Sequence, residues 1–287
     1  MSEFIAALTS NQLPFLRYAF LVGILASISF GIVGSYVVVR RITYIAGAIA
    51  HCVLGGIGAA LYLQKTHNLP WLDPLYGALV AALMAALIIG MVSIHAKQRE
   101  DTVIGALWAV GMAVGLLFIA KTPGYSDPMS YLFGNILLVT QEDLWMVAIL
   151  DLVIVTLVWF LYHNFLAVCF DEEYARIRGL QTSFYYLLLL TMTALTVVLL
   201  VRVVGIVMVV ALLTLPAAIA GQFVNRLGHM MVLASFLCMG FVASGLAVSY
   251  KLDLPSGPII IVLAGAVYLL VIAGRRLRCF SRRPLRN

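Results

Sequence analysis

His51 is the residue whose type and place in the sequence could do chemistry. It follows two arginines in the run Arg40-Arg41-Ile42-Thr43-Tyr44-Ile45-Ala46-Gly47-Ala48-Ile49-Ala50-His51-Cys52. At a helical rise of about 1.5 Å per residue the imidazole lies roughly 15 Å beyond Arg41, deep in a hydrocarbon layer about 30 Å thick. An ionisable side chain at that depth is costly to insert, so it reads as functional with a partner to be found. Neutral imidazole is the commonest metal-binding side chain and accepts late first-row cations. One histidine is not a site, and spacing leaves two readings open: a ligand or relay on a cation route, or a buried hydrogen-bonding residue. Asp151, about two turns inside a later apolar run, carries the same alternatives of solute path or structural role. Arg202 reads as a snorkelling cation at a membrane boundary. The remaining intramembrane polar groups are hydroxyls, among them Thr156, Thr191, Thr193, Thr196 and Thr214.

The elements that position these residues follow from composition. The chain has 287 residues, 63% apolar and 10% charged, where a soluble domain carries about 25% charged residues. Apolar runs of spanning length recur throughout, so the fold class is an all-α polytopic membrane protein of eight to nine transmembrane helices with short interfacial helices. One transmembrane domain over 1–287 accounts for the chain. The first apolar run is long enough to span and is read as a span, not as a removable signal peptide.

Spans are expected at about 15–39, 42–63, 72–94, 103–120, 144–162, 184–201, 206–223, 230–250 and 259–273. Tyr131 to Leu138 is too short to cross and reads as interfacial or re-entrant. Gly47, Gly55 and Gly58 share a helix face with His51. They read as close helix packing in lipid or as space for a solute beside the imidazole. Pro216 frees the carbonyl of Leu212 and should kink its span. Asp171 to Leu180 is charged and has a glycine where a helix would end, so it reads as a short surface helix.

The net charge of +6 does not indicate nucleic acid, because the basic residues sit in short loops between apolar runs. Nine crossings with the basic tail (275–287) in the cytoplasm put thirteen of the eighteen Lys and Arg inside: Arg40, Arg41, Lys97, Arg99, Arg176, Arg178, Arg226 and six tail arginines. Arg17, Lys65, Lys121 and Lys251 fall outside. A re-entrant segment beside Arg202 would reduce the count to eight. The four cysteines, Cys52, Cys169, Cys238 and Cys279, form no C-x-x-C pair and indicate neither a disulfide framework nor a thiolate zinc site. G-x-x-x-x-G-K-[ST], H-E-x-x-H and G-x-S-x-G are all missing from the sequence, so neither nucleotide hydrolysis nor an intramembrane hydrolase is supported.

Four pieces together carry a family likeness. They are Arg40-Arg41 with His51, then Tyr131-Leu132-Phe133-Gly134-Asn135 followed by Val139-Thr140-Gln141-Glu142-Asp143-Leu144. Val204-Gly205 leading through Leu212-Leu213-Thr214-Leu215-Pro216-Ala217-Ala218 is the third, and Pro255-Ser256-Gly257-Pro258 the fourth. The chain resembles, almost end to end, the membrane permease subunit of bacterial ABC importers for zinc, manganese and related divalent metals.

The resemblance implies a transport subunit and not an enzyme, placed in the bacterial cytoplasmic (inner) membrane with its C-terminus inside. It implies a second permease copy or paralogue, a cytoplasmic ATP-binding cassette subunit that hydrolyses ATP, and an extracytoplasmic metal-binding protein. No cofactor would be held permanently; zinc, manganese or ferrous iron would be cargo. In the family pattern a carboxylate four residues before the histidine shares its metal site, and i and i+4 lie on one helix face. Here that position is Gly47, so Asp151 or a ligand elsewhere is the expected replacement. The segment at about 170–181 resembles the part of such importers that docks on the ATPase, with Glu173, Ala175, Arg176, Gly179 and Leu180 as coupling residues. A permease for larger metal chelates such as siderophores or cobalamin would be longer. An ion-coupled secondary transporter would need more intramembrane acids than Asp151.

Overall fold

The computed structural model describes residues 14–69, 71–95, 100–124, 128–134 and 139–281. Expectations for the lead-in before Pro14, for Lys97 and Arg99, for Asn135 to Leu138 and for the last three arginines lie outside the described residues. Among those described, all regular structure is helical. The long helices are α1 (Pro14–Val39), α2 (Thr43–Thr66), α3 (Pro74–His95) and α4 (Glu100–Lys121). After the short α5 (Pro128–Phe133) come α6 (Gln141–Phe170), a second short helix α7 (Glu172–Ile177), α8 (Thr182–Val204), α9 (Ile206–Phe223), α10 (Leu227–Leu252) and α11 (Ser256–Ser281).

Nine of these helices are long and apolar enough to cross a bilayer. The segments on either side of Arg202, Thr182–Val201 and Ile206–Phe223, are both among them, so the described residues hold nine helices of spanning length and composition. Most ends lie beyond the expected ones. α6 continues to Phe170 and α11 to Ser281, because helical hydrogen bonding persists after the apolar stretch ends. α6 begins with a capping box: the Thr140 hydroxyl accepts from the Asp143 N–H, and the Asp143 carboxylate accepts from the Thr140 N–H at 2.9 Å. α9 runs through Pro216 without interruption.

The bundle has two groups of helices. In one, α2 packs against α3 and α4; in the other, α1 packs against α9 and α10, with α11 on their outer side. α8 joins the groups through α3, and α6 through α1. Lipid supplies no hydrophobic drive for helix association, so close approach depends on small residues. Gly31 and Gly34 press α1 onto Ser235 of α10 and the Leu213 carbonyl of α9. Between α1 and α2 the chain reverses at Arg41, a non-glycine residue with φ +61°. This left-handed C-terminal cap lets the Arg41 and Ile42 N–H groups bond the carbonyls of Val38 (3.1 Å) and Val37 (3.0 Å).

At the far end of the bundle three glycines from distant segments meet. Gly134 (φ +67°), after α5, lies directly against Gly205 (φ +84°), the single residue between α8 and α9. A Cβ on Gly257, near the start of α11, would lie 2.6 Å from the Phe133 carbonyl oxygen. Gly205 also has ψ 158°, a conformation open essentially to glycine alone. Gly205→Ala should therefore lower stability by at least about 1–3 kcal/mol, read as a lower unfolding midpoint in detergent. Gly240→Ala, where an added Cβ meets nothing within 4 Å, should leave the midpoint unchanged.

Candidate functional site

His51 lies in the middle of α2, half-buried, with its Nδ1 buried and without a hydrogen-bond partner. Its ring stacks on the indole of Trp108 from α4, with centroids 4.7 Å apart and planes at 22°. The indole enters a notch that exists because residue 47 has no side chain: a Cβ there would lie 2.6 Å from Trp108 Cζ3. In this arrangement a carboxylate at position 47 has no room. The other two glycines of the stripe are filled by backbone. A Cβ on Gly55 would lie 2.9 Å from the Gly111 carbonyl oxygen, and Gly58 abuts Gly115. One residue after His51, the Cys52 thiol donates to the Leu107 carbonyl at 3.3 Å. The stripe thus draws α2 and α4 together, side by side and in the same direction.

Asp151 is not at this site. It is buried between α6 and α1, where it accepts a hydrogen bond from Ser29, and its Oδ2 is buried without a partner. Among the described residues no group of three or more His, Cys, Asp and Glu could enclose a metal ion. The hydroxyls of Thr191, Thr193, Thr196 and Thr214 bond the carbonyls of residues 187, 189, 192 and 210 on their own helices. These bonds occupy the hydroxyl protons. Arg202 lies on the last turn of α8.

At the Arg40 end of the bundle, α7 follows α6 after one residue. Asp171 caps it, its carboxylate accepting from the Tyr174 N–H at 2.8 Å. Ala175 is fully buried and Leu180 partly so, while Glu173, Arg176 and Gly179 are exposed. Gly179 ends the helix at φ +80° with open space around its Cα. Phe170, Tyr174 and Ile177 present large apolar side chains outward, Ile177 at 80% exposure.

Arg40 ties this segment to the α1–α2 turn. Its guanidinium donates to the Val168 carbonyl at 3.0 Å, pairs with the Glu172 carboxylate and lies 5.5 Å from the centroid of the Tyr186 ring. A cavity of about 550 Å³ beside it is lined by Arg41, Ser93, Glu100, Arg176 and Ser183 among others. One guanidinium thus holds the end of α6, the start of α7, the first turn of α8 and the approach to α2.

Sequence reasoning singled out His51 and the α7 segment and did not single out Trp108 or the Arg40–Glu172 pair. A tryptophan in an apolar run reads as lipid-facing, and nothing in the spacing joins residues 132 positions apart. The one signal available was Gly47, which marks a notch that some neighbour must fill.

The comparisons with known proteins agree with this architecture. The family model described as "ABC 3 transport family" matches residues 12–275. A probable metal transport system membrane protein of Chlamydia trachomatis is 43% identical, over 95% of this chain and 93% of its own. The manganese transport system membrane protein MntC of Listeria monocytogenes is 33% identical over 90% of each chain. In the solved structure of PsaBC from Streptococcus pneumoniae in complex with Fab, one chain superposes with a TM-score of 0.82 at 30% identity, over 94% of both chains. With nine helices of spanning length among its described residues and the family model matched along nearly its whole length, this chain belongs to the ABC 3 transport family.

Proposed function

We infer that this chain is the permease subunit of an ABC importer carrying a divalent transition metal, with zinc and manganese foremost, across the bacterial cytoplasmic membrane. The observation that carries the reading is His51. It is an imidazole at mid-span whose Nδ1 has no partner among the described residues, on α2 of a chain similar in sequence to metal-transport relatives. A neutral ring with a free lone pair is the donor that borderline cations favour over magnesium and calcium. The relatives' names, metal transport in one and manganese in the other, point the same way. The cation is cargo, and a single neutral donor suits transit better than storage.

ATP hydrolysis belongs to a separate cytoplasmic subunit. The α7 segment suits its docking: Ala175 anchors the helix, Glu173 and Arg176 face outward, and Tyr174 and Ile177 offer apolar surface next to them. On this reading the Arg40 end and the C-terminus lie in the cytoplasm, which the distribution of basic residues supports. A second permease copy and an extracytoplasmic metal-binding protein complete the assembly. The larger-chelate alternative is disfavoured by the tight α2–α4 seam, and the ion-coupled one by the placement of Asp151 on Ser29.

Two experiments test this reading. In cells expressing the complete transporter, His51→Ala should lower zinc and manganese uptake by about tenfold or more, the worth of roughly 1.4 kcal/mol, with normal membrane insertion. Asp151→Asn should keep most of the uptake. Unchanged accumulation of both metals in His51→Ala would overturn the assignment.

The second concerns coupling. Arg40→Lys should depress uptake while the ATPase subunit still assembles and hydrolyses ATP, because an ammonium cannot reach the Val168 carbonyl, the Glu172 carboxylate and the Tyr186 face together. Glu172→Gln should show the same split more mildly. Equal loss of hydrolysis and uptake would mean that the clamp only holds the fold.

A further inference from the structure

On the Arg41 side of His51 there is an open cavity of about 520 Å³. Arg41 from the α1–α2 turn, Thr43 and Tyr44 from the start of α2, Thr214 and Leu215 from α9, and Tyr268 from α11 line it. Trp108 lines it too, and His51 does not. Along α2 the order is thus Thr43 and Tyr44 at the cavity, Gly47 against the indole, and His51 stacked on it. This ring is stacked on the histidine, at 4.7 Å.

The seam between α2 and α4 is otherwise built from small residues in backbone contact, Gly55 on Gly111 and Gly58 on Gly115. A tryptophan on the same face of α4, three residues before Gly111, fits only because Gly47 leaves the notch. We propose that Trp108 is the gate between His51 and this cavity, held closed by lying in the Gly47 notch and stacking on the imidazole. The proposal rests on His51 being a cation ligand.

The chemistry of the ring suits that place. An indole face attracts a cation, so the closed ring does not repel an ion carried on the imidazole. It lies against a ring whose Nδ1 is buried and has no hydrogen-bond partner among the described residues. Rotation of the indole out of the notch would join His51 to the cavity and bring the ion to the hydroxyls of Thr43 and Tyr44. No backbone rearrangement of the α2–α4 seam is needed for this, since Gly55 and Gly58 keep the two helices in register. Trp108 would thus position the imidazole and control passage while providing no coordinating atom.

Two readouts test the gate. For the first, Trp71, Trp145 and Trp159, exposed by 68%, 64% and 81%, are changed to Phe, so that emission comes from Trp108 alone. Co²⁺, added to the purified chain in nanodiscs, should quench this emission, and His51→Ala should abolish the quenching. Quenching that survives His51→Ala would place the ion elsewhere and overturn the stacked arrangement.

The second readout uses the complete transporter. Gly47→Ala should reduce metal uptake by about tenfold, because its Cβ displaces the ring, and adding Trp108→Leu to it should restore much of the loss. Trp108→Ala alone should let metal-loaded vesicles leak Co²⁺ without ATP. Uptake like that of the unchanged chain in Gly47→Ala, a double variant no better than Gly47→Ala, or tight Trp108→Ala vesicles would each overturn the gate. If the unchanged transporter moves no metal, it is the reading of His51 that fails; if it does and His51→Ala does not, a failure in the other variants falls on Trp108 alone.

Discussion

Backbone-to-backbone contact between α2 and α4 is the constraint on which the rest depends. In a membrane there is little hydrophobic gain from bringing two apolar helices together, and association comes from van der Waals contact at short range. Glycines at 55 and 58 against 111 and 115 provide that range. Once the helices are that close, a large side chain on the shared face needs a vacancy opposite it, and Gly47 supplies one at the level of Trp108. The stack on His51 follows from this geometry. Chemistry at the imidazole is therefore set by packing: a seam with bulkier residues would separate the helices and leave both rings without the contact that orients them.

The two ends of the bundle are fixed by different interactions, for physical reasons. At one end Gly134, Gly205 and Gly257 let the chain after α5, the α8–α9 turn and the start of α11 share a volume too small for any Cβ. This is a rigid junction, because two of the three glycines hold positive φ. At the other end a guanidinium makes one hydrogen bond, one ion pair and one cation–π contact to three different helices. Such a junction is held by long side chains partly open to solvent, and it tolerates movement in a way that touching backbones do not. An assembly driven from the α7 side would work against the yielding end and pivot on the stiff one.

Much of this was legible in the sequence. Apolar runs of about twenty residues have few alternatives in a chain this poor in charge, so the spans could be placed, and their ends missed mainly where helices continue past the apolar stretch, as α6 does to Phe170 and α11 to Ser281. The depth of His51 followed from counting residues. The three motif pieces around Gly134, Gly205 and Gly257 were each visible, but their meeting was not, since positive φ and close approach are properties of the fold. Asp151 shows the opposite failure. A carboxylate in a span invites a functional reading, and its partner proved to be Ser29, 122 residues away on α1. Trp108 was silent because an aromatic ring in an apolar run looks the same whether it faces lipid or a neighbouring imidazole.

On the proposed reading of His51 as a cation ligand, its surroundings carry one more consequence. A carboxylate beside the imidazole would add charge and deepen the well for any divalent ion, magnesium and calcium included. With an indole in that place the site has no formal charge, and discrimination falls to the imidazole lone pair, which hard cations hold poorly. The well is also shallow, so an ion that arrives can leave. For a protein that must release what it binds on each cycle, an oriented neutral donor beside a movable apolar ring meets both needs: selectivity comes from the kind of donor, and release from having only one.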